Sequence, residues 1–97
     1  MSAVEQRPTR ILVVDDEFGV REGCRKILSD EGYEVFTAED GVAGREVFEH
    51  TPELSVVLVD MMMPRMGGLD LLKHIRHIDQ DVVVIIITAH ATIDSAV

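Results

Sequence analysis

Leu54-Ser55-Val56-Val57-Leu58-Val59-Asp60-Met61-Met62-Met63-Pro64 decides the fold of this chain. It is a short apolar run that stops on a carboxylate, with Pro64 and the pair Gly67-Gly68 behind it. A run of this length bounded by turn residues reads as a strand. An acid at the end of a buried strand, backed by a stiff turn, is held in place yet open to solvent. Upstream, Ile11-Leu12-Val13-Val14 ends the same way, on Asp15-Asp16. Downstream, Val82-Val83-Val84-Ile85-Ile86-Ile87 ends on Thr88-Ala89. Three hydrophobic strands therefore deliver three acids and a hydroxyl to one edge of one sheet.

Between these runs lie amphipathic stretches. Strand one is expected over Arg10–Val14. Val20, Cys24, Ile27 and Leu28 then recur at i, i+4, i+7, i+8, the spacing of one helical face, with Arg21, Arg25, Lys26, Asp30 and Glu31 on the wet side and Gly32 as the stop. Glu34–Ala38 alternates polar and apolar residues as an edge strand does. Asp40 is placed to cap a helix ending near His50, with Ala43, Val47 and Phe48 inward, closed by Thr51-Pro52. Ser55–Val59 is strand three, and Leu69–Ile78 a helix burying some of Leu71, Leu72, Ile75 and Ile78. Val82–Ile87 is strand four, and Thr92–Val97 reads as the first turns of a fourth helix. Strands separated by helices predict right-handed βαβ units and a parallel sheet covered on both faces.

Ninety-seven residues make one small domain. No apolar run approaches the roughly 20 residues of a membrane span, and the polar N-terminus has no secretory h-region. Met1–Pro8 is expected to be a disordered arm, leaving residues 9–97 as the domain. The single cysteine, Cys24, excludes an internal disulfide and suits a reducing cytoplasm; on its apolar helix face it is expected to be a small core residue. Nine basic against eighteen acidic residues give a net charge of −9, which repels phosphate backbones and argues against direct nucleic-acid binding. Most of these acids read as a solubilising surface. Asp15, Asp16 and Asp60 differ because they stand at strand ends.

In an open parallel sheet, ligands bind beyond the carboxyl ends of the strands where strand order reverses. An order of 2-1-3-4 sets strands one and three side by side, so Asp15, Asp16 and Asp60 share a crevice. Like charges that close repel, and a hard cation such as Mg²⁺ relieves the conflict. Helix capping accounts for one acid of the Asp15-Asp16 pair but not for all three. Asp60 is then a carboxylate nucleophile able to accept a phosphoryl group as an acyl phosphate, with Thr88 placed to donate its hydroxyl to a phosphoryl oxygen.

These residues, Ile11-Leu12-Val13-Val14-Asp15-Asp16-Glu17, then Val59-Asp60-Met61-Met62-Met63-Pro64 with Gly68, then Thr88-Ala89, resemble the receiver domain of bacterial response regulators. The resemblance runs from Thr9 to Val97, and the segment Ile87–Val97 is most similar to NtrC-type activators. It implies a flavodoxin-like (CheY-like) three-layer α/β/α fold with strand order 2-1-3-4. It implies that Asp60 is the phosphoacceptor for a sensor histidine kinase, that Asp16 binds Mg²⁺ directly and Asp15 through water, and that the Met62 backbone carbonyl completes the ligands. Thr88 becomes the switch hydroxyl, and Met62 and His90 take positions that tune dephosphorylation. The family also has a lysine-bearing fifth strand and a fifth helix, and this chain stops before both. Neither Lys26 nor Lys73 lies at a strand end to replace that lysine. The resemblance thus implies a truncated receiver.

The expected function is a phosphorylation switch in the cytoplasm, acting with a kinase and an output domain, and not a turnover enzyme. An alternative is an unphosphorylated interaction module that dimerises through the apolar edge of strand four. A Mg²⁺-dependent phosphohydrolase is disfavoured because the second residue after Asp60 is Met62, not an acid. His74 and His77 share a helix face but lack the further ligands a metal site needs, so a solvated face is expected there. The Met61–Met63 run reads as loop packing.

Overall fold

The computed structural model describes residues 8–61 and 67–87. The elements follow in the order β1 (Arg10–Val14), α1 (Phe18–Asp30), β2 (Glu34–Ala38), α2 (Gly41–His50), β3 (Leu54–Asp60), α3 (Gly68–Ile78) and β4 (Val83–Ile87). The strands form one parallel sheet in the order β2-β1-β3-β4, as expected, with β2 at an edge. Met1–Arg7 of the expected arm and the expected helix over Thr92–Val97 lie outside the described residues.

Alternation along the strands separates two faces. Leu12, Val14, Ala38, Val57 and Val59 join Phe48 of α2 and Leu71 and Ile75 of α3 in one core. Ile11 and Val13 point the other way and are buried beneath α1, which packs on β1 and β2. Local chemistry sets the helix ends. Asp40 Oδ1 accepts from Ala43 N at 2.8 Å, so it caps α2 as read. At the end of α1, Gly32 adopts φ +98°, while its N–H bonds Ser29 O and that of Tyr33 bonds Leu28 O. This is a Schellman ending that requires the left-handed conformation at Gly32.

Four readings change. First, β3 begins at Leu54, which pairs with Arg10, and includes Asp60, which pairs with Ile87 of β4; its register with β1 shifts between Arg10↔Leu54 and Ile11↔Val56. That bulge lets Leu54 and Val57 both reach the core. Second, β4 starts at Val83; Val82 precedes it and is buried. Third, the apolar face of α1 is not buried: Val20 and Ile27 are 42% and 65% exposed, and Cys24 and Leu28 are half-buried. Fourth, among the described residues the sheet is not covered on both faces at β4, where Val83 and Ile85 are 52% and 47% exposed. The last two share a cause. Val83 and Ile85 are in register with Val56 and Leu58, on the face of Ile11 and Val13, where α1 packs chiefly on β1 and β2 among the described residues.

Candidate functional site

β1 hands the chain to Asp15, whose N–H extends the ladder by donating to Ala38 O at 3.1 Å. The carboxylate then ties the turn: Glu17 N donates to Asp15 Oδ1 at 2.9 Å. This is an Asx turn leading into α1 and not a helix cap: the N-cap residue is Glu17, which makes no side-chain cap bond, so neither acid of the pair caps the helix as expected. Asp15 is buried, and Asp16 is exposed on the turn. Arg21 Nη1 donates to the Asp15 carbonyl oxygen at 2.7 Å. Helical periodicity places Arg21 on the wet side of α1 and gives no sign that it reaches back to the strand end.

β3 delivers Asp60 as its last residue, opposite Ile87 of β4. The next residue is held from two sides. Met61 N donates to Ile87 O at 3.2 Å, and Gly68 N donates to Met61 O at 3.2 Å. A Cβ on Gly68 would lie 2.7 Å from the Asp60 carbonyl oxygen and 2.8 Å from Met61 Cα. The start of α3 is thus pressed onto the backbone of the acid.

The outcome is convergence. One carboxylate oxygen from each of Asp15, Asp16 and Asp60 lies within 4.8 Å of the others. Three negative charges at this spacing repel one another. An all-oxygen donor set open on one side is what a small hard cation accepts, so the residues present fit Mg²⁺. Thr88, Met62 and His90 lie outside the described residues. A cavity of about 540 Å³, lined in part by Arg10, Glu53, Asp79 and Val83, opens at the other end of the strands and includes none of the three acids.

The histidines of α3 part company. His77 is exposed as expected, whereas His74 Nε2 lies 2.8 Å from Glu49 Oε2 of α2, which also accepts from Arg45 Nε at 3.2 Å. His74 thus ties two helices together and is not part of a merely solvated face.

Comparison with known proteins follows the same residues: the response regulator receiver domain family matches residues 11–97. The chain belongs to that family. This receiver domain is 40% identical over 90 residues to the response regulator MprA of Mycobacterium sp. (strain KMS), covering 93% of the chain and 39% of that protein. It thus spans about two fifths of the MprA relatives. To the sporulation initiation phosphotransferase F of Bacillus subtilis it is 37% identical over 86 residues, covering 88% of the chain and 68% of the relative. The response regulator TrrA of Thermotoga maritima, crystallised in complex with Mg²⁺ and BeF, superposes with a TM-score of 0.78 at 40% identity. That match covers 84% of the receiver and 70% of TrrA. The receiver is accordingly the phosphoacceptor domain of a two-component response regulator. Among the described residues, no helix is long and apolar enough to cross a membrane.

Proposed function

We propose that Asp60 is the phosphoacceptor, that Asp15, Asp16, Asp60 and the backbone carbonyl of Met62 hold Mg²⁺, and that Thr88 is the switch hydroxyl. The observation that carries this reading is the approach of the three carboxylates to within 4.8 Å at the adjoining ends of β1 and β3. The donor is the phosphohistidine of a sensor kinase. A carboxylate oxygen of Asp60 attacks phosphorus, the P–N bond breaks, and the imidazole leaves with the bonding electron pair and takes up a proton. Asp15 and Asp16 hold the opposite wall of the pocket from a turn that is itself hydrogen-bonded. Mg²⁺ held by these residues would supply positive charge that offsets the charge of the carboxylates and the incoming phosphoryl group. The acyl phosphate adds about −1.5 to −2 charge at the strand end, and the domain then changes its contacts with an output domain. The chain catalyses its own phosphorylation without turning over a free substrate. It works in the cytoplasm and, with a net charge of −9, does not itself bind nucleic acid.

Labelling by acetyl phosphate in the presence of Mg²⁺ tests the assignment. The wild-type chain is expected to take up phosphate and Asp60→Ala to remain unlabelled. Equal labelling of the two would overturn it.

A second reading draws on β4, an edge of the sheet among the described residues, with Val83 and Ile85 half exposed. Pairing of this strand with a second copy would extend the sheet and cover apolar surface. Sedimentation decides: a concentration-dependent dimer that Ile85→Lys dissociates supports pairing, and a monomer at all concentrations rejects it.

A further inference from the structure

Arg21 bonds to the backbone beside the acids and, in the hydrogen bonds described, to none of the Asp15 and Asp16 carboxylates. Its Nη1 donates to the backbone carbonyl of Asp15 at 2.7 Å, and its guanidinium lies over the Phe18 ring, 5.5 Å from the centroid. Its own N–H donates to Glu17 O at 3.0 Å, in the first turn of α1. Asp15, Glu17 and Arg21 therefore form a closed loop of hydrogen bonds that spans Asp16, with Phe18 against the guanidinium. Asp15 Oδ1 holds Glu17 N, the Glu17 carbonyl holds Arg21 N, and the Arg21 side chain returns to the Asp15 carbonyl. A planar guanidinium suits this place because it can donate in its plane while its face rests on an aromatic ring.

We propose that Arg21 is a positioning residue for the cation pocket: by clamping the Asp15 carbonyl it fixes the turn that aims Asp15 and Asp16 at Asp60. The inference rests on the reading of those acids as the Mg²⁺ site. Hydrogen-bond partners just behind metal ligands set ligand orientation, and losing one commonly costs 10- to 100-fold in affinity.

The sign of the effect separates positioning from charge. Removing a positive charge near a cation site weakens repulsion, so on charge alone Arg21→Ala would bind Mg²⁺ more tightly. Loss of a positioning clamp predicts the reverse. Calorimetric titration of the 97-residue chain with Mg²⁺ is expected to show about tenfold weaker binding in Arg21→Ala. Arg21→Lys, which keeps the charge and a donor but not the planar group stacked on Phe18, is expected to recover part of the affinity. Unchanged or tighter binding in Arg21→Ala, while Asp16→Asn abolishes binding, overturns the role of Arg21 and leaves the acidic site standing. Equal weakening in Arg21→Ala and Arg21→Lys also overturns it. Absence of Mg²⁺ binding by the wild-type chain overturns the site and, with it, this inference.

Discussion

Gly68 stands against Asp60 with no room for a side chain: a Cβ there would meet the Asp60 carbonyl oxygen at 2.7 Å and Met61 Cα at 2.8 Å. Both contacts are backbone, so a rotamer change cannot relieve them. The first residue of α3 thereby locks the position of the β3 end, and Gly68 N completes the lock on Met61 O. Gly68→Ala must push the helix and the strand end apart, at a cost of about 1–3 kcal/mol. Urea unfolding is expected to show that loss. Acetyl phosphate labelling at a denaturant-free, fully folded point is expected to be slower, because Asp60 itself has shifted.

The three clustered carboxylates make a second expectation concrete. Without a cation their mutual repulsion opposes folding, so Asp16→Asn is expected to raise the apo melting midpoint, through roughly 0.5–1 kcal/mol for charges that partly face water. With Mg²⁺ the order reverses. A cation at one hundred times its dissociation constant stabilises the wild-type chain by about 2.7 kcal/mol, and the variant by less. Thermal melts of both chains with and without Mg²⁺ check this; a midpoint lower in apo Asp16→Asn than in apo wild type would contradict it.

At the far end of α1, Gly32 supplies a conformation other residues resist. Its φ of +98° allows the Schellman bonds from Gly32 N to Ser29 O and from Tyr33 N to Leu28 O. A Cβ there meets nothing within 4 Å, so any penalty is conformational and not steric crowding by neighbours. Gly32→Ala is expected to cost about 1–2 kcal/mol in chemical denaturation, with cation binding at the distant strand ends unchanged.

These residues also mark what was legible in the sequence. The bounds of β1 and β2 and the cap at Asp40 follow from neighbouring residues, because alternation, punctuation and side-chain capping are local. Strand order 2-1-3-4 and the meeting of Asp15, Asp16 and Asp60 follow from topology, since parallel βαβ units bring those strand ends together. Burial of α1 was not legible. The spacing of Val20, Cys24, Ile27 and Leu28 reports a face suited to cover, not whether anything covers it. The bulge after Leu54 escaped because it depends on the register with Arg10, a partner far away in the chain. Arg21 on the Asp15 carbonyl and His74 on Glu49 escaped for a similar reason: helical period assigned both to solvent, and only the packed structure supplies their partners.

His74 and Glu49 yield an expectation about acid. The hydrogen bond from His74, then that from Arg45, holds the Glu49 carboxyl below its ordinary value of 4.5. A carboxyl lowered in the folded state contributes stability that is present above the unfolded value and is lost as pH falls through the folded one. The link between α2 and α3 is therefore intact at neutral pH and fails below pH 4.5. Because Glu49 lies at the surface, its weight is small and screened by salt. Wild type is expected to exceed Glu49→Gln slightly in stability at pH 7, with the gap closing as pH falls below 4.5 and narrowing in high salt. Carbon-detected NMR titration of Glu49 in His74→Ala provides the direct check, since removing the larger cause must move the midpoint back up. A midpoint that stays where it is in wild type would show that Arg45, and not His74, holds the carboxylate.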